Sequence, residues 1–327
     1  MTTTIQQQLL QLLTDGETHS GTALGEQLGV GRAAVWKQIQ ALQAMGVEIQ
    51  SLPRQGYQIS HPISLLDGST IRSALATSIA ERLPVIEPLW SCDSTNSELM
   101  RRLRGEYSSS GTVLLAEHQS GGRGRRGKQW VSPFGGSLYL SLQWRFSSGM
   151  MALSGLGIVV GIAMAKAIEQ LGIEGVMLKW PNDLHLNDKK LGGILIELEG
   201  ESEGPTDVVI GVGINVAANS LSSSEIDQPW TALSEHQSVM PSRNQLAALL
   251  LSQLIPRLDH FEQQGLGGLM SEWDALDRIR DCPVWIDQEG ARESGVARGI
   301  TAIGALQVEL NGGLCTYYSG DVSLRLR

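Results

Sequence analysis

The chain has 327 residues, 42% of them hydrophobic and 18% charged, with a net charge of −9. That length implies roughly two or three domains, and the composition excludes a disordered chain. The acidic balance excludes a general nucleic-acid coat, which would need Lys and Arg in excess to neutralise phosphates, but leaves room for one small DNA-reading module.

Residues 1–60 predict three helices and a hairpin. Ile5, Leu9, Leu12 and Leu13 recur at helical spacing, and Asp15-Gly16 ends that helix. Thr22 to Leu28 gives a second helix and Gly29-Val30-Gly31 a tight turn. Arg32 to Met45 gives a third helix, closed by Gly46. Val47-Glu48-Ile49 and Tyr57-Gln58-Ile59 alternate as strands around a tip at Arg54-Gln55-Gly56. This is a winged helix-turn-helix pattern. On the third helix Val35, Ile39 and Leu42 make a core stripe, while Ala33, Lys37, Gln40 and Ala44 make a small, polar outer face. A plain packing module with a solvated face would read the same way, since residues 1–60 hold no basic excess. Arg54 beside a glycine at the tip favours DNA, with Arg32, Ala33, Lys37, Gln40 and Arg54 as contacts.

After His61-Pro62, strands and helices alternate. Helices are expected over Leu65 to Leu83, Ser94 to Leu103, Ser154 to Leu171, Asn244 to Gln264 (bent at Pro256) and Leu266 to Leu276. Strands are expected over Ile86 to Trp90, Thr112 to Glu117, Ser137 to Phe146, Val176 to Trp180, Leu184 to Leu186, Leu191 to Leu198 and Val208 to Ile214. Asn187-Asp188 is a turn, and Ser220 to Gln228 reads as a mobile loop. From about 280, five short strands suggest a small β-barrel. The domains are placed at 1–64, 65–277 and 278–327. The fold class is α+β: a winged helix-turn-helix, a mixed α/β catalytic domain and a C-terminal SH3-like barrel.

The apolar stretch Met150 to Ala165 falls short of the roughly 20 residues that cross a bilayer and reads as a buried helix. Cys92, Cys282 and Cys315 share no metal or disulfide spacing, and the N-terminus has no signal-peptide pattern, so a reduced, cytoplasmic protein is expected.

Four cations lie in the six positions Arg123 to Lys128, interleaved with Gly124 and Gly127 and preceded by Gly121-Gly122. Glycines let backbone N–H groups approach a phosphate and arginines supply bidentate bonds. A solvated basic loop fits the spacing equally well. The formal GxGxxG is not a dinucleotide fingerprint, because Lys128-Gln129-Trp130 does not open an amphipathic helix; no P-loop is present. Lys179-Trp180-Pro181-Asn182-Asp183 ends a strand with a carboxylate that suits Mg²⁺ or a lysine, and Lys190 precedes a strand opening with Gly192-Gly193. Alone, these read as an ordinary hairpin. Gly211 and Gly213 lie at alternate strand positions and leave a flat slot on one face. Trp230 suits a stacking lid or a core position.

Ser94-Thr95-Asn96, the GRGRRG at Gly122 to Gly127, KWPND at Lys179 to Asp183, KKLGGIL at Lys189 to Leu195 and GVGIN at Gly211 to Asn215 occur in this order. Together they resemble the catalytic core of biotin–protein ligases. With both flanking domains, the whole chain resembles the bifunctional kind, ligase and biotin operon repressor in one. Lys189-Lys190 and Gly192 are mild departures.

The resemblance implies ATP, Mg²⁺ and biotin at the site, with a biotin carboxyl carrier protein, operator DNA and a second copy of the chain, paired when biotinyl-AMP is bound, as partners. It implies that Ser94, Thr95, Asn96, Gln119, Arg123, Gly124, Arg125, Lys190, Gly193, Gly211 and Gly213 bind biotin and its adenylate. It places Trp130, Asn182, Asn215, Trp230 and Arg325 on the ATP side and gives Arg125, Lys190 and Asp183 catalytic roles, Asp183 also as metal ligand. Two competitors remain: a sensor without activity, for which a polyphosphate site is superfluous, and a lipoate ligase, which shares the general core.

Overall fold

The structure is a computed structural model. It describes residues 4–61, 63–200, 203–218, 226, 228–237, 239, 242–288, 291–319 and 323–326. Most of the expected serine-rich loop lies outside the described residues.

The N-terminal unit comprises α1 (Ile5–Leu13), α2 (Gly21–Leu28), α3 (Arg32–Ala44) and the hairpin β1 (Ile49–Leu52) and β2 (Gly56–Ile59). A capping box from Thr4 starts α1, and the Ser20 side chain caps α2. Leu9, Leu10, Leu13, Leu24, Val35, Ile39 and Leu42 are buried, but Ile5 is 39% exposed, because it sits in the first helical turn, away from the other helices. The strand expected at Val47 begins two residues later. The Val47 N–H donates to Leu42 O and Gly46, at φ 91°, closes the helix, so Val47 belongs to the cap of α3. His19 exchanges backbone bonds of 2.9 and 2.8 Å with Tyr57, adding a third edge to the wing.

The central sheet has the order β3-β4-β5-β9-β8-β7-β6, built from β3 (Val85–Leu89), β4 (Thr112–Ala116), β5 (Ser137–Phe146), β6 (Val176–Lys179), β7 (Asp183–Leu186), β8 (Lys189–Gly200) and β9 (Thr206–Asn215). Only β3 and β4 run parallel. Asn187 and Asp188, at φ 49° and 63°, make the β7–β8 turn.

Strand alternation sorts the two faces. Val113, Leu115, Leu138, Leu140, Leu142, Ile194, Val208, Ile210, Val212 and Ile214 join a core with α7 (Leu156–Glu169) and α8 (Arg243–Gln264). The opposite face carries Leu114 and Val209 under α6 (Thr95–Arg104), and beyond it Ser141, Gly211 and Gly213. The Met150–Glu169 segment is long and apolar enough to cross a membrane, longer than the stretch counted from sequence, yet 67% of its most apolar window is buried in this core.

The single helix expected from Leu65 to Leu83 is two short ones, α4 (Gly68–Ser73) and α5 (Thr77–Ala80). The first residues stay extended because their backbone is held elsewhere. Glu117 Oε1 accepts from Leu66 N at 2.5 Å, while Asn244 accepts from Asp67 N and donates to Leu65 O at 2.9 Å each. Asp67 then caps α4, and the Arg72 guanidinium donates to Ala80 O and Leu83 O beyond the break. After α8, a 3-10 turn at Gly267–Leu269 leads into α9 (Met270–Leu276), within the helix expected over Leu266 to Leu276.

The C-terminal sheet, in order β13-β12-β11-β10-β14, comprises β10 (Pro283–Gln288), β11 (Ala291–Ile300), β12 (Leu306–Leu310), β13 (Gly313–Tyr317) and β14 (Ser323–Leu326). It is antiparallel throughout, and no pairing of β13 with β14 closes it among the described residues. Val284, Ile286, Ala297, Leu306 and Val308 belong to the same core as the central sheet, so one apolar interior runs through both.

Arg243 and Glu117 form a buried ion pair of 2.6 Å, with side chains 5% and 4% exposed. Arg243 also donates to Ser64 O and Glu117 also accepts from Leu66, so the pair clamps the segment leaving the N-terminal unit. Glu117→Gln leaves the guanidinium buried without its counter-charge and is expected to lower stability by about 3 kcal/mol in denaturant unfolding.

Candidate active site

The site lies on the face of the central sheet opposite α7 and α8. Register aligns Tyr139, Gly213, Gly193, Asp183 and Lys179 across five strands, and Ser141, Gly211 and Leu195 in the adjacent row. The glycine pair leaves a floor without side chains, on which the Trp130 ring rests. A Cβ on Gly213 would stand 2.8 Å from that ring and one on Gly193 3.3 Å away. Over Gly211 the occupant is Asn96, with Oδ1 only 2.1 Å from where a Cβ would be. The expected slot therefore exists, and these two side chains line it.

One end of the cavity is neutral and hydrogen-bonded. Ser94 caps α6, which buries Thr95 and Asn96 at its first turn. Gln119 Oε1 accepts from Thr95 N at 2.9 Å, and Gln119 Nε2 donates to Ser132 Oγ at 2.9 Å. Ser141 Oγ lies 2.7 Å from Thr95 Oγ1 and 2.6 Å from Asn96 Oδ1. Asn96 Nδ2 donates to Leu195 O and Glu197. Ser132, Ser141 and Glu197 escaped sequence reading, although the outward alternation of Ser141 on a strand of large apolar residues was a signal.

The other end is cationic. Lys179, Lys190 and Arg278 line it with Asp183, His185 and Asp188. Lys190 Nζ lies 2.7 Å from Asp183 and 5.6 Å from the Trp130 ring centroid. Arg278 is 2.7 Å from Asp188. His185 is buried, and burial, with Arg278 nearby, pushes its pKa down to about 4, so its ring is neutral. The cavity measures about 940 Å³ and reaches Trp230.

The arginine loop roofs the cavity as a tight hairpin. Gly124 N donates to Lys128 O, Trp130 N to Gly122 O, and Arg126 takes φ 55° in the turn Arg125–Gly127. Arg123 pairs with Glu197 at 3.0 Å and donates to Ser97. Arg125 donates to Asn182 Oδ1 at 3.2 Å and to the carbonyl of Ser319, in the turn after β13. Burial, then the neighbouring Arg126, lower the Arg125 pKa. Asn182 Nδ2 donates to Ile194 O.

Asn215 donates to Thr231 O and Lys190 exchanges backbone bonds with Pro229 and Thr231, so Asn215 and Lys190 fix the segment carrying Trp230. Arg325 lies on β14, but its side chain is outside the described residues. Arg32, Ala33, Lys37, Gln40 and Arg54 are exposed on the winged unit, some distance in sequence from the cavity residues. Trp36, 55% exposed, shares the outer face of α3, which is therefore not the small, polar surface expected.

The chain is 44% identical over 323 residues to the bifunctional ligase/repressor BirA of Salmonella typhimurium, covering 99% of this chain and 98% of that one. The chain belongs to the bifunctional biotin ligase/repressor family. The corresponding Bacillus subtilis protein is 29% identical over 99% of this chain and 100% of its own. The family description "Biotin/lipoate A/B protein ligase family" matches residues 90–215, an HTH domain matches 5–58, and the biotin protein ligase C-terminal domain matches 287–325. Among solved structures, a biotin protein ligase from Aquifex aeolicus in complex with biotin and ATP matches with a TM-score of 0.65 and 26% identity, covering 75% of this chain and 100% of that chain.

In a ligase of this family the glycine floor has a measurable cost of substitution. Gly211→Ala and Gly213→Ala are expected to lower stability by about 1–3 kcal/mol through overpacking. Gly193→Ala should cost less, since its nearest neighbour is a ring edge at 3.3 Å. Thermal unfolding of the three variants checks the order.

Proposed function

We propose that this chain joins biotin to AMP and transfers the biotinyl group to one lysine of a biotin carboxyl carrier protein. In this reading residues 1–64 bind operator DNA and repress biotin synthesis genes with biotinyl-AMP as corepressor, 65–277 catalyse and 278–327 complete the site. The observation that carries it is one cavity with a neutral hydrogen-bonding end and a cationic end under an arginine roof, in a chain of this family.

Ser94, Thr95, Asn96 and Gln119 suit the uncharged ureido head, and Gly193, Gly211 and Gly213 let a thin ligand approach the strands. The biotin carboxylate attacks the α-phosphorus of ATP and pyrophosphate leaves. Arg123, Gly124, Arg125 and Lys190 face the charge that grows on the phosphate, in a site the loop closes to water. Trp130, Asn182, Asn215 and Trp230, which line the cavity, are assigned to the nucleotide side, as is Arg325 of β14. Mg²⁺ neutralises phosphate charge when bound with ATP. Asp183 is the carboxylate that would hold it, and one protein carboxylate suits an ion that keeps phosphate oxygens and waters. In the second step the carrier lysine attacks the biotinyl carbonyl carbon as a neutral amine, AMP leaves as the amide forms, and Asp183 is the carboxylate assigned to take the proton the amine loses.

For repression, biotinyl-AMP binding favours a homodimer, and two winged units then read a palindromic operator through Arg32, Ala33, Trp36, Lys37, Gln40 and Arg54.

Incubation with Mg·ATP, a carrier domain, and biotin or lipoate, followed by intact mass, tests the reading. One ATP-dependent biotinyl group on the carrier is expected; lipoylation instead, or no gain, contradicts it. Arg125→Gly removes bonds to Asn182 and Ser319 and is expected to raise release of free biotinyl-AMP about tenfold. Release equal to the parent protein would sink the roof idea. Trp36→Ala is expected to weaken operator binding about tenfold in a gel-shift or anisotropy titration.

A further inference from the structure

His185 belongs to β7, two residues after Asp183, so their side chains share the ligand face while Leu184 and Leu186 are buried on the other. It is 8% exposed, and neither ring nitrogen has a hydrogen-bond partner among the described residues. Buried polar groups are almost always paired, so an imidazole left with an unused donor and an unused acceptor needs an explanation. The protein around it offers little. The backbone of β7 is committed to two ladders, and the residues opposite His185 are Met177 and Lys190. Lys190 spends its charge on Asp183, and Arg278 on Asp188. Cations are donors only, so none of them can receive the imidazole N–H. A leucine or phenylalanine would fill the place without the penalty of an unpaired polar ring.

His185 lines the cavity together with Lys179, Lys190 and Arg278, whose charges all act on its ring. An anionic oxygen entering there would accept from the imidazole and meet all three cations. Neither an adenine ring nor a neutral amine does both.

We propose that His185 donates a hydrogen bond to the phosphate oxygens that leave as pyrophosphate, and so positions the nucleotide for the adenylation step. This rests on the two-step reading above. It makes His185 a contact of the first step only, because pyrophosphate has gone before the carrier lysine attacks.

The test uses the full-length protein and two separate assays: biotin-dependent exchange of labelled pyrophosphate into ATP, and single-turnover transfer from preformed biotinyl-AMP to a carrier domain. His185→Leu is expected to raise KM for ATP and for pyrophosphate about tenfold, the effect of losing one hydrogen bond to a charged group. The KM for biotin and the transfer rate should stay within about twofold. His185→Gln, which keeps a donor and an acceptor, should restore most of the loss. The leucine variant should melt no lower than the parent, since it removes an unpaired buried ring. If it unfolds, His185→Asn carries the same split between the two assays. Unchanged KM for ATP and pyrophosphate, or an equal loss in the transfer step, overturns the proposal. Absence of exchange in the parent protein would overturn the adenylation reading itself, a different failure.

Discussion

Gly193 stands directly across from Gly213, and the site depends on that pairing. Side chains on neighbouring strands point the same way at opposed positions, so two glycines there strip one patch of the sheet to its backbone. Trp130 rests on this patch, Asn96 on the adjacent Gly211, and Lys190 stacks toward the Trp130 ring. Any Cβ in the floor would push these groups upward into the ligand's space. The opposite face of the same strands carries Ile194, Val212 and Ile214 in the core, which fixes register: a one-residue slip would bury the floor and expose the core.

Around this floor, segments far apart in sequence are tied by a few polar contacts. Arg125 joins the roof to Asn182 and to Ser319 after β13, and the C-terminal sheet beside it shares the central apolar core. The roof continues through Trp130 into Pro133 and Phe134. Phe134 packs in the core of the N-terminal unit, 4.6 Å from Trp90, and its N–H donates to Met45 O at the end of α3. The arginine roof and α3 of the winged unit are thus parts of one packed structure.

Much of this was legible in the sequence, because it rests on local rules. The spacing of Val35, Ile39 and Leu42, the glycine at position 46 and the Asn187-Asp188 turn each act over a few residues. The limits of β5 were read correctly: Leu138, Leu140, Leu142, Trp144 and Phe146 recur at every second position through it. Features set by distant partners were not legible. The break in the expected helix over Leu65 to Leu83 comes from Glu117 and Asn244, which hold the backbone of Leu66 and Asp67 from far along the chain. At the site, the glycines and cations announced a ligand-binding surface. The occupants of the floor, the Glu197 latch on Arg123 and the unpaired His185 appear only when four strands are brought into register. Trp36 was overlooked because the outer face of α3 was judged from its other members.

The central claim is that the floor and roof together hold an acyl adenylate before any carrier arrives. Exchange of labelled pyrophosphate into ATP in the absence of carrier measures this directly. Exchange that requires biotin, and is lost when biotin is omitted, is the predicted result. Carrier biotinylation without such exchange would contradict the account, because the carboxylate would then reach the lysine without passing through an enzyme-held anhydride.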